Sequence, residues 1–181
     1  IEEIFPFKRN PEQKLISYYK EKEFEKLPAV IESLKEGKEI ALISRAGMPV
    51  ISDPGSLLIQ TVIKYNLPYT VVPGPSAVTT AFLHAGFKKD KFMFLGFLPK
   101  KDSQLRVLMG KIINTEKILN DVSFIAFESP NRINRTLQIL SELMPDADVA
   151  VTRELTKKFE EISRGKAAEL IKKEYKGEVT L

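Results

Sequence analysis

The chain has 181 residues, 43% of them hydrophobic and 29% charged, with a formal net charge of +4 and a pI of about 9.1. This composition predicts a globular protein of one large domain or two small ones, and excludes a disordered chain. Cysteine is absent and His84 is the single histidine, which excludes disulfides, thiolate metal sites and histidine clusters. We expect neither a membrane span nor a signal peptide, and therefore a cytoplasmic protein. The mild positive charge is compatible with an acidic partner such as RNA.

The first part of the chain alternates between short apolar runs and helical spacing. The apolar runs predict strands at residues 14–19, 39–44 and 69–73, the second of them buried on both faces. Helical spacing predicts helices at residues 23–37, 55–65 and 74–86. Their expected apolar positions include Phe24, Leu27, Val30, Ile31 and Leu34 in the first helix and Leu57, Leu58, Val62 and Tyr65 in the second. This alternation is typical of crossover units around a parallel sheet.

A segment rich in glycine, proline and lysine at residues 86–104 interrupts this pattern. The later patterns predict, in chain order, strand 92–97, helix 106–119, strand 122–129, helix 131–144, strand 148–155, helix 165–175 and the beginning of a strand at 177–181. We therefore predict an α/β protein with an N-terminal α/β domain at residues 1–90 and a C-terminal α/β domain at residues 91–181. The first domain is expected to lack its first strand, and the second to be truncated in its last strands.

Two stiff junctions lie between predicted strands and helices. The first is "ISRAGMPVISDPGSLL" at residues 43–58, where Ser52 or Asp53 can cap a helix that has Pro54 at its first position. The second is "VVPGPSAV" at residues 71–78. Glycine permits close backbone approach and proline restricts its neighbours. Each junction alone is an ordinary turn, but two of them after neighbouring parallel strands favour a small-molecule site.

Several common fingerprints are missing from the sequence. It has no G-x-G-x-x-G, no G-x-x-x-x-G-K-[ST] and no G-x-S-x-G. A standard dinucleotide site, a P-loop and a hydrolase nucleophile elbow are therefore not predicted. The residue patterns alone indicate a small-molecule-binding α/β protein.

A more specific interpretation comes from resemblance. The segments "ALISRAGMPVISDPG", "VVPGPSAVTTAF", "FLGFLPKK", "FIAFESPNRI", "VTRELTKKFEEISRG" and "KGEVTL" resemble successive blocks of the small-subunit (16S) ribosomal RNA ribose-2'-O-methyltransferase type I family. That family is of the tetrapyrrole methylase type. The resemblance implies two α/β domains with S-adenosylmethionine in the cleft between them, a homodimer, and no metal. It also implies methyl transfer to the 2'-oxygen of a cytidine ribose in 16S rRNA of the small ribosomal subunit.

Block matching also implies roles for particular residues. The donor would contact a first wall of Ala46, Gly47, Met48, Pro49, Ser52 and Asp53, a second wall of Pro73, Gly74, Pro75, Ser76 and Ala77, and Phe127, Arg153 and Leu155 at strand ends. Glu128 and Glu154 are the candidate catalytic carboxylates, each as a general base or a ribose clamp. The alternative for each is an ion pair with a neighbouring arginine, Arg132 or Arg153. Ser52 and Ser76 are, in the alternative, simple helix caps.

Basic residues provide candidate rRNA contacts. The set comprises Lys100, Lys101, Arg106, Arg132 and Lys157, with Lys88, Lys89, Lys91 and Lys158 as further candidates. The alternative interpretation is that these side chains are solvated surface charges that do not contact RNA. Arg45 departs from the family pattern, which usually has aspartate before Ala-Gly, and we expect its side chain to point outward. Two other functions remain open: a tetrapyrrole (corrin or haem precursor) methylase, and a non-catalytic relative that binds donor or RNA.

Overall fold

The computed structural model describes residues 13–171 and 174–181, which form two compact units. The first unit contains residues 13–44 and 53–72, and the second contains residues 45–52 together with the described residues from 73 onward. The division of the chain at residue 90 and an inter-domain donor site stay predictions. None of the helices in the described ranges has the length and apolar character needed to cross a membrane.

The helices and strands divide between these units. The first unit contains helices α1 (Glu23–Lys35) and α2 (Ser56–Lys64). The second unit contains α3 (Ala77–Ala85), β1 (Lys91–Phe97), α4 (Asp102–Ile118), β2 (Val122–Glu128), α5 (Ile133–Leu143), β3 (Asp148–Arg153), β4 (Glu161–Lys166), α6 (Ala167–Leu170) and β5 (Val179–Thr180).

The core of the first unit is the contact between α1 and α2. Val30 and Ile31 of α1 pack with Leu58 and Val62 of α2, as their helical spacing predicts. Phe24 was expected in this core but is 78% exposed. It stands on the solvent side of α1, and this prediction is wrong.

The start of α2 differs from the predicted cap. Gly55, with φ +123°, occupies the N-cap position in place of Ser52 or Asp53. The Gly55 N–H donates to Oε1 of Glu23 at 3.1 Å, and the Tyr18 hydroxyl donates to the same oxygen at 3.4 Å. Burial and the Glu23 carboxylate raise the pKa of Tyr18 to about 12, so its hydroxyl remains a donor. The Glu23 side chain of α1 thus supplies the hydrogen-bond acceptor at the start of α2 that Ser52 or Asp53 was predicted to supply.

The three strands predicted before residue 74 are absent from the described structure. Residues 14–19, 39–44 and 69–73 have no strand pairing. In the second segment Ile40 and Ile43 are exposed, so the expected burial on both faces is also wrong. An apolar run predicts burial, but a strand exists only where its N–H and C=O groups bond to a neighbour.

The second unit contains a mixed five-stranded sheet in the order β1-β2-β5-β3-β4. β1 and β2 are parallel, β5 is antiparallel to both β2 and β3, and β3 is antiparallel to β4. The parallel sheet was predicted for the first part of the chain, where the predicted strands are absent, whereas the sheet observed in the second unit is mixed. β4 was not predicted, because its sequence "EISRGK" lacks an apolar run and lies at a sheet edge.

Helices cover both faces of this sheet. Leu95 of β1 packs in a cluster with Leu105, Met109 and Ile112 of α4. Phe92 of β1 instead contacts Phe82 of α3, with ring centroids 5.1 Å apart. Residues an odd number apart in a strand point to opposite faces, so α3 and α4 lie on opposite sides of the sheet.

β5 connects the two halves of the sheet and is held by a local clasp. The Glu154 N–H donates to the carbonyl of Glu178 at 2.9 Å, and the Glu178 N–H donates to Oε1 of Glu154 at 2.8 Å. Gly177 precedes this pair with φ +84°, and a Cβ there would overlap the carboxylate of Glu154. The Glu154 carboxylate therefore fills the space beside residue 177 that is free because glycine has no Cβ.

A cavity of about 770 Å³ lies between the facing edges of β2 and β3, alongside the residues of these strands that do not pair with β5. Its lining includes Ile125, Ala150 and Leu181. Ser123 also lines it, and the buried Ser123 hydroxyl oxygen has no hydrogen-bond partner within the described ranges. The predicted donor residues do not line this cavity.

We predict opposite effects for two glycine-to-alanine substitutions in this unit. Gly177→Ala should lower the free energy of unfolding by about 1–2 kcal/mol, because alanine is disfavoured at positive φ. Gly110→Ala in α4, where a Cβ meets nothing within 4 Å, should raise it by about 0.5–1 kcal/mol. Urea titration measures both. Equal stability of the G177A variant and the parent would contradict the clasp.

Candidate functional site

The first junction is a strained loop. Within residues 45–52 the backbone is left-handed at Gly47 (φ +73°), Val50 (φ +74°) and Ser52 (φ +64°). Glycine adopts this conformation freely, whereas a β-branched valine rarely does. Such strain persists only where surrounding structure enforces it, and it is concentrated at functional sites.

The structure brings the two junctions together. A Cβ built on Gly47 would lie 3.6 Å from the carbonyl oxygen of Pro75, and one built on Gly74 would lie 3.9 Å from Cγ of Met48. The two loops are therefore neighbours, because a Cβ at either glycine would reach ordinary van der Waals contact with the opposite loop. We call residues 45–52 and 73–76 the paired loops.

The paired loops lie toward the end of the sheet where β1 and β2 finish. Phe82, near the end of α3, packs on Phe92 near the start of β1. α3 also contacts β5, which pairs with the last residues of β2. α3 thus runs opposite to β1 and β2, and its N-terminal end points to their carboxyl ends. Ligands of open α/β sheets bind outside the carboxyl ends of strands.

The predicted donor residues fall into three groups. Ala46, Gly47, Met48, Pro49 and Ser52 lie in the first of the paired loops, and Pro73, Gly74, Pro75, Ser76 and Ala77 form the second loop and the start of α3. Asp53 belongs to the first unit. Phe127 and Arg153 lie at the ends of β2 and β3, and Leu155 follows β3. Ser76 is the N-cap residue of α3, but its side chain makes no capping hydrogen bond.

Glu128 is buried in a network at the end of β2. Its Oε1 accepts the Ser129 N–H at 2.6 Å and its Oε2 accepts the Thr136 hydroxyl at 2.7 Å. Arg132 forms an ion pair with the same carboxylate and donates to the carbonyl of Leu98 at 3.4 Å. These contacts agree with the ion-pair interpretation and fix the loop between β2 and α5.

Glu154 is equally engaged at the end of β3. Besides the Glu178 N–H, its Oε1 accepts from Nζ of Lys157 at 3.1 Å. The Glu178 backbone bond, followed by the Lys157 bond and charge and the nearby Arg153, holds the pKa of Glu154 below its usual value. Arg153 itself pairs with Glu161 at 2.8 Å. A carboxylate with a lowered pKa takes up a proton poorly near neutral pH.

The candidate RNA-binding cations differ in their surroundings. Arg106 pairs with Glu142, Arg132 with Glu128, and Lys157 with both Glu154 and Glu178; Lys89 and Lys91 also pair with carboxylates. Lys100 and Lys101 are exposed and form no ion pair within the described ranges. Arg45 is also exposed. Across residues 13–171 and 174–181, no three potential metal ligands cluster.

Sequence reasoning did not single out the aromatic residues at the end of β1. Phe94 and Phe97 both contact Phe127, with centroid separations of 4.9 and 5.4 Å. The detectable signal was Gly96, because a glycine inside an aromatic strand often indicates a bulge.

Comparison with known proteins identifies the fold and the family of the chain. The family model described as Tetrapyrrole (Corrin/Porphyrin) Methylases matches residues 2–171. The crystal structure of the methyltransferase CobJ superposes with a TM-score of 0.58 at 18% identity, covering 87% of this chain and 70% of that one. At this identity the likeness shows a shared fold.

Curated relatives are more similar in sequence. Ribosomal RNA small subunit methyltransferase I of Hydrogenobaculum sp. is 39% identical, with 92% of this chain and 72% of the relative aligned. The proteins of the same name from Thermotoga maritima and Mycoplasmopsis pulmonis are 39% and 42% identical, each with 92% of this chain and 74% of the relative aligned. The chain therefore belongs to the tetrapyrrole methylase family and, within it, to the ribosomal RNA small subunit methyltransferase I proteins.

Proposed function

We propose that the chain transfers a methyl group from S-adenosylmethionine to the 2'-oxygen of a cytidine ribose in 16S rRNA of the small ribosomal subunit. The names of the relatives support the rRNA substrate. The observation that supports a donor site is the left-handed backbone at Val50 and Ser52, in a loop that meets the second loop at the carboxyl end of the sheet. We further propose that the enzyme acts as a homodimer in the cytoplasm.

The paired loops fit a small-molecule donor. Gly47 and Gly74 lie where the two loops approach each other, so backbone atoms and the Met48 side chain form one wall. We assign the donor contacts to the two loops and, from the strand ends, to Phe127, Arg153 and Leu155. When bound, S-adenosylmethionine supplies an electrophilic methyl group attached to a sulfonium.

The residues of the chain contribute mainly by positioning. The buried Glu128 network holds the loop after β2, and the Glu154 clasp holds the turn after β3. Rigid loops on both strands can keep the ribose oxygen at attack distance from the donor, and approximation alone lowers the barrier substantially. The low pKa of Glu154 argues for a ribose clamp or a structural role over general-base catalysis. The identity of a base stays a prediction.

Methyl transfer can be tested with labelled donor. Purified protein should transfer label to 16S rRNA when offered small ribosomal subunits, and should leave a tetrapyrrole precursor unlabelled. Alkaline hydrolysis identifies the position, because a 2'-O-methyl group blocks cleavage at that nucleotide.

The alternatives give different outcomes in the same assay. Label in the tetrapyrrole would favour the corrin or haem precursor methylase. Donor binding without transfer to either acceptor would favour a non-catalytic relative. Label at a base, removed from the ribose by acid hydrolysis, would contradict the 2'-oxygen as acceptor.

Replacing Arg45 tests the environment of the donor. A cation about 4 Å from the donor's sulfonium would cost about 1 kcal/mol in water and about 4 kcal/mol at an effective dielectric of 20. Because Arg45 is exposed, we expect Arg45→Asp and Arg45→Gln to change the dissociation constant for the donor by less than tenfold. Isothermal titration measures it. A tenfold or greater tightening in the aspartate variant would mean that Arg45 opposes donor binding.

Removing Lys100 and Lys101 should weaken RNA binding. In the Lys100→Ala/Lys101→Ala variant, the affinity for the small ribosomal subunit should fall, and the slope of log affinity against log salt should decrease by about 1.4, since each phosphate contact on a single strand contributes about 0.7. The control is Lys111→Ala/Lys117→Ala, which removes the same charge from exposed positions farther along α4. An equal loss in both variants would indicate non-specific attraction.

A further inference from the structure

Phe97 is the most exposed of the large apolar residues on β1 and lies at its carboxyl end. Its exposed fraction is 60%. It pairs with Phe127 across the parallel β1–β2 ladder, so both residues stand at the carboxyl end of these strands. Exposing a phenyl ring forgoes the free energy of its burial.

The position of Phe97 is built by a β-bulge. The pairing changes between Phe94, opposite Ile125, and Phe97, opposite Phe127, so β1 contains one extra residue. Gly96 accommodates it with φ +70°. In a regular strand residues 94 and 97 would point to opposite faces. The bulge instead turns both rings onto Phe127, in edge-on contacts with interplanar angles of 65° and 62°.

The ring is therefore held in a defined orientation. Phe127 supports one side of Phe97, at a centroid distance of 5.4 Å. The backbone just after Phe97 is also fixed, because the Leu98 N–H donates to the carbonyl of Phe127 at 3.0 Å and Leu98 is buried. A ligand that stacks on Phe97 meets a preorganised surface and loses little entropy from ordering it.

Two lysines follow Phe97 closely in the chain. Lys100 and Lys101 follow within three and four residues, so their backbone is at most about 11–14 Å from that of Phe97. Both are exposed, and Lys101 is the N-cap residue of α4, so their stems begin at a fixed point of the fold. An aromatic ring beside cations matches a nucleotide, whose base stacks and whose phosphates are anionic.

We propose that Phe97 stacks on an unpaired base of the rRNA substrate while Lys100 and Lys101 contact the adjoining phosphates. This proposal rests on the proposed function and names one contact of its RNA site. The donor is a poorer match for this surface, because its sulfonium and ammonium groups would face two lysines. A duplex is also a poorer match, because its bases are stacked on one another and their faces are not free.

Substitutions that separate aromatic character from apolar volume test the proposal. Phe97→Leu removes the π face, and Phe97→Tyr retains it. The dissociation constant for small ribosomal subunits should rise about 5- to 150-fold in the leucine variant, which corresponds to one stacked base. It should stay within about twofold of the parent in the tyrosine variant. The control, Phe24→Leu, changes a phenylalanine that is 78% exposed on α1 and should leave binding unchanged.

Two further quantities are measured for the same variants: the dissociation constant of the donor and the melting temperature. Both should be unchanged in all three variants. An unchanged RNA affinity in the F97L variant would overturn the proposal, as would weakened donor binding or an equal loss in the tyrosine variant. A lower melting temperature of F97L accompanied by an equal loss of donor binding would assign Phe97 a structural role and would also overturn it. If the unsubstituted protein neither binds nor methylates the subunit, the proposed function itself fails.

Discussion

The two residues of β5 determine the integrity of the sheet. Val179 and Thr180 pair with β2 on one side and β3 on the other, and no direct β2–β3 pairing occurs in the part of the chain that the structure describes. The β1–β2 and β3–β4 pairs are thus joined through β5. Its placement relies on the reciprocal bonds between Glu154 and Glu178. Because β5 follows every strand that it joins, the sheet closes through contacts between residues distant in the chain, which slows folding.

The same connection explains why the candidate functional groups lie together. The strand ends that carry Phe127, Glu128 and Arg153 are those that β5 brings into one sheet. The carboxylates of Glu128 and Glu154 accept hydrogen bonds from within the protein, so the end of the sheet is a rigid frame rather than a set of free acids. Methyl transfer to a ribose oxygen suits such a frame, because alignment contributes more to it than strong acid–base chemistry.

Local patterns predicted helices better than sheet pairing. Helical spacing located α1 to α5 to within a few residues, since each helix bonds within itself. Strands depend on partners elsewhere in the chain, so the apolar run at 39–44 was mistaken for a strand and the polar β4 was missed. The cap of α2 was wrong because its acceptor, Glu23, lies 32 residues away. Motif resemblance identified the family, but the contacts of Glu128 and the bulge at Gly96 required the structure.

The bulge at Gly96 makes the number of residues in β1 matter as much as their identity. Because the bulge adds one residue to β1, it decides on which side of the sheet each later residue lies. Phe97 stays at the surface, and Leu98 enters the core cluster with Met109. Removing one residue would exchange these two environments, whereas replacing Phe97 by another aromatic would disturb neither. Insertions and deletions are thus less tolerable at this point than substitutions, although the strand ends at the protein surface. A change of length would damage the core and the surface in a single event.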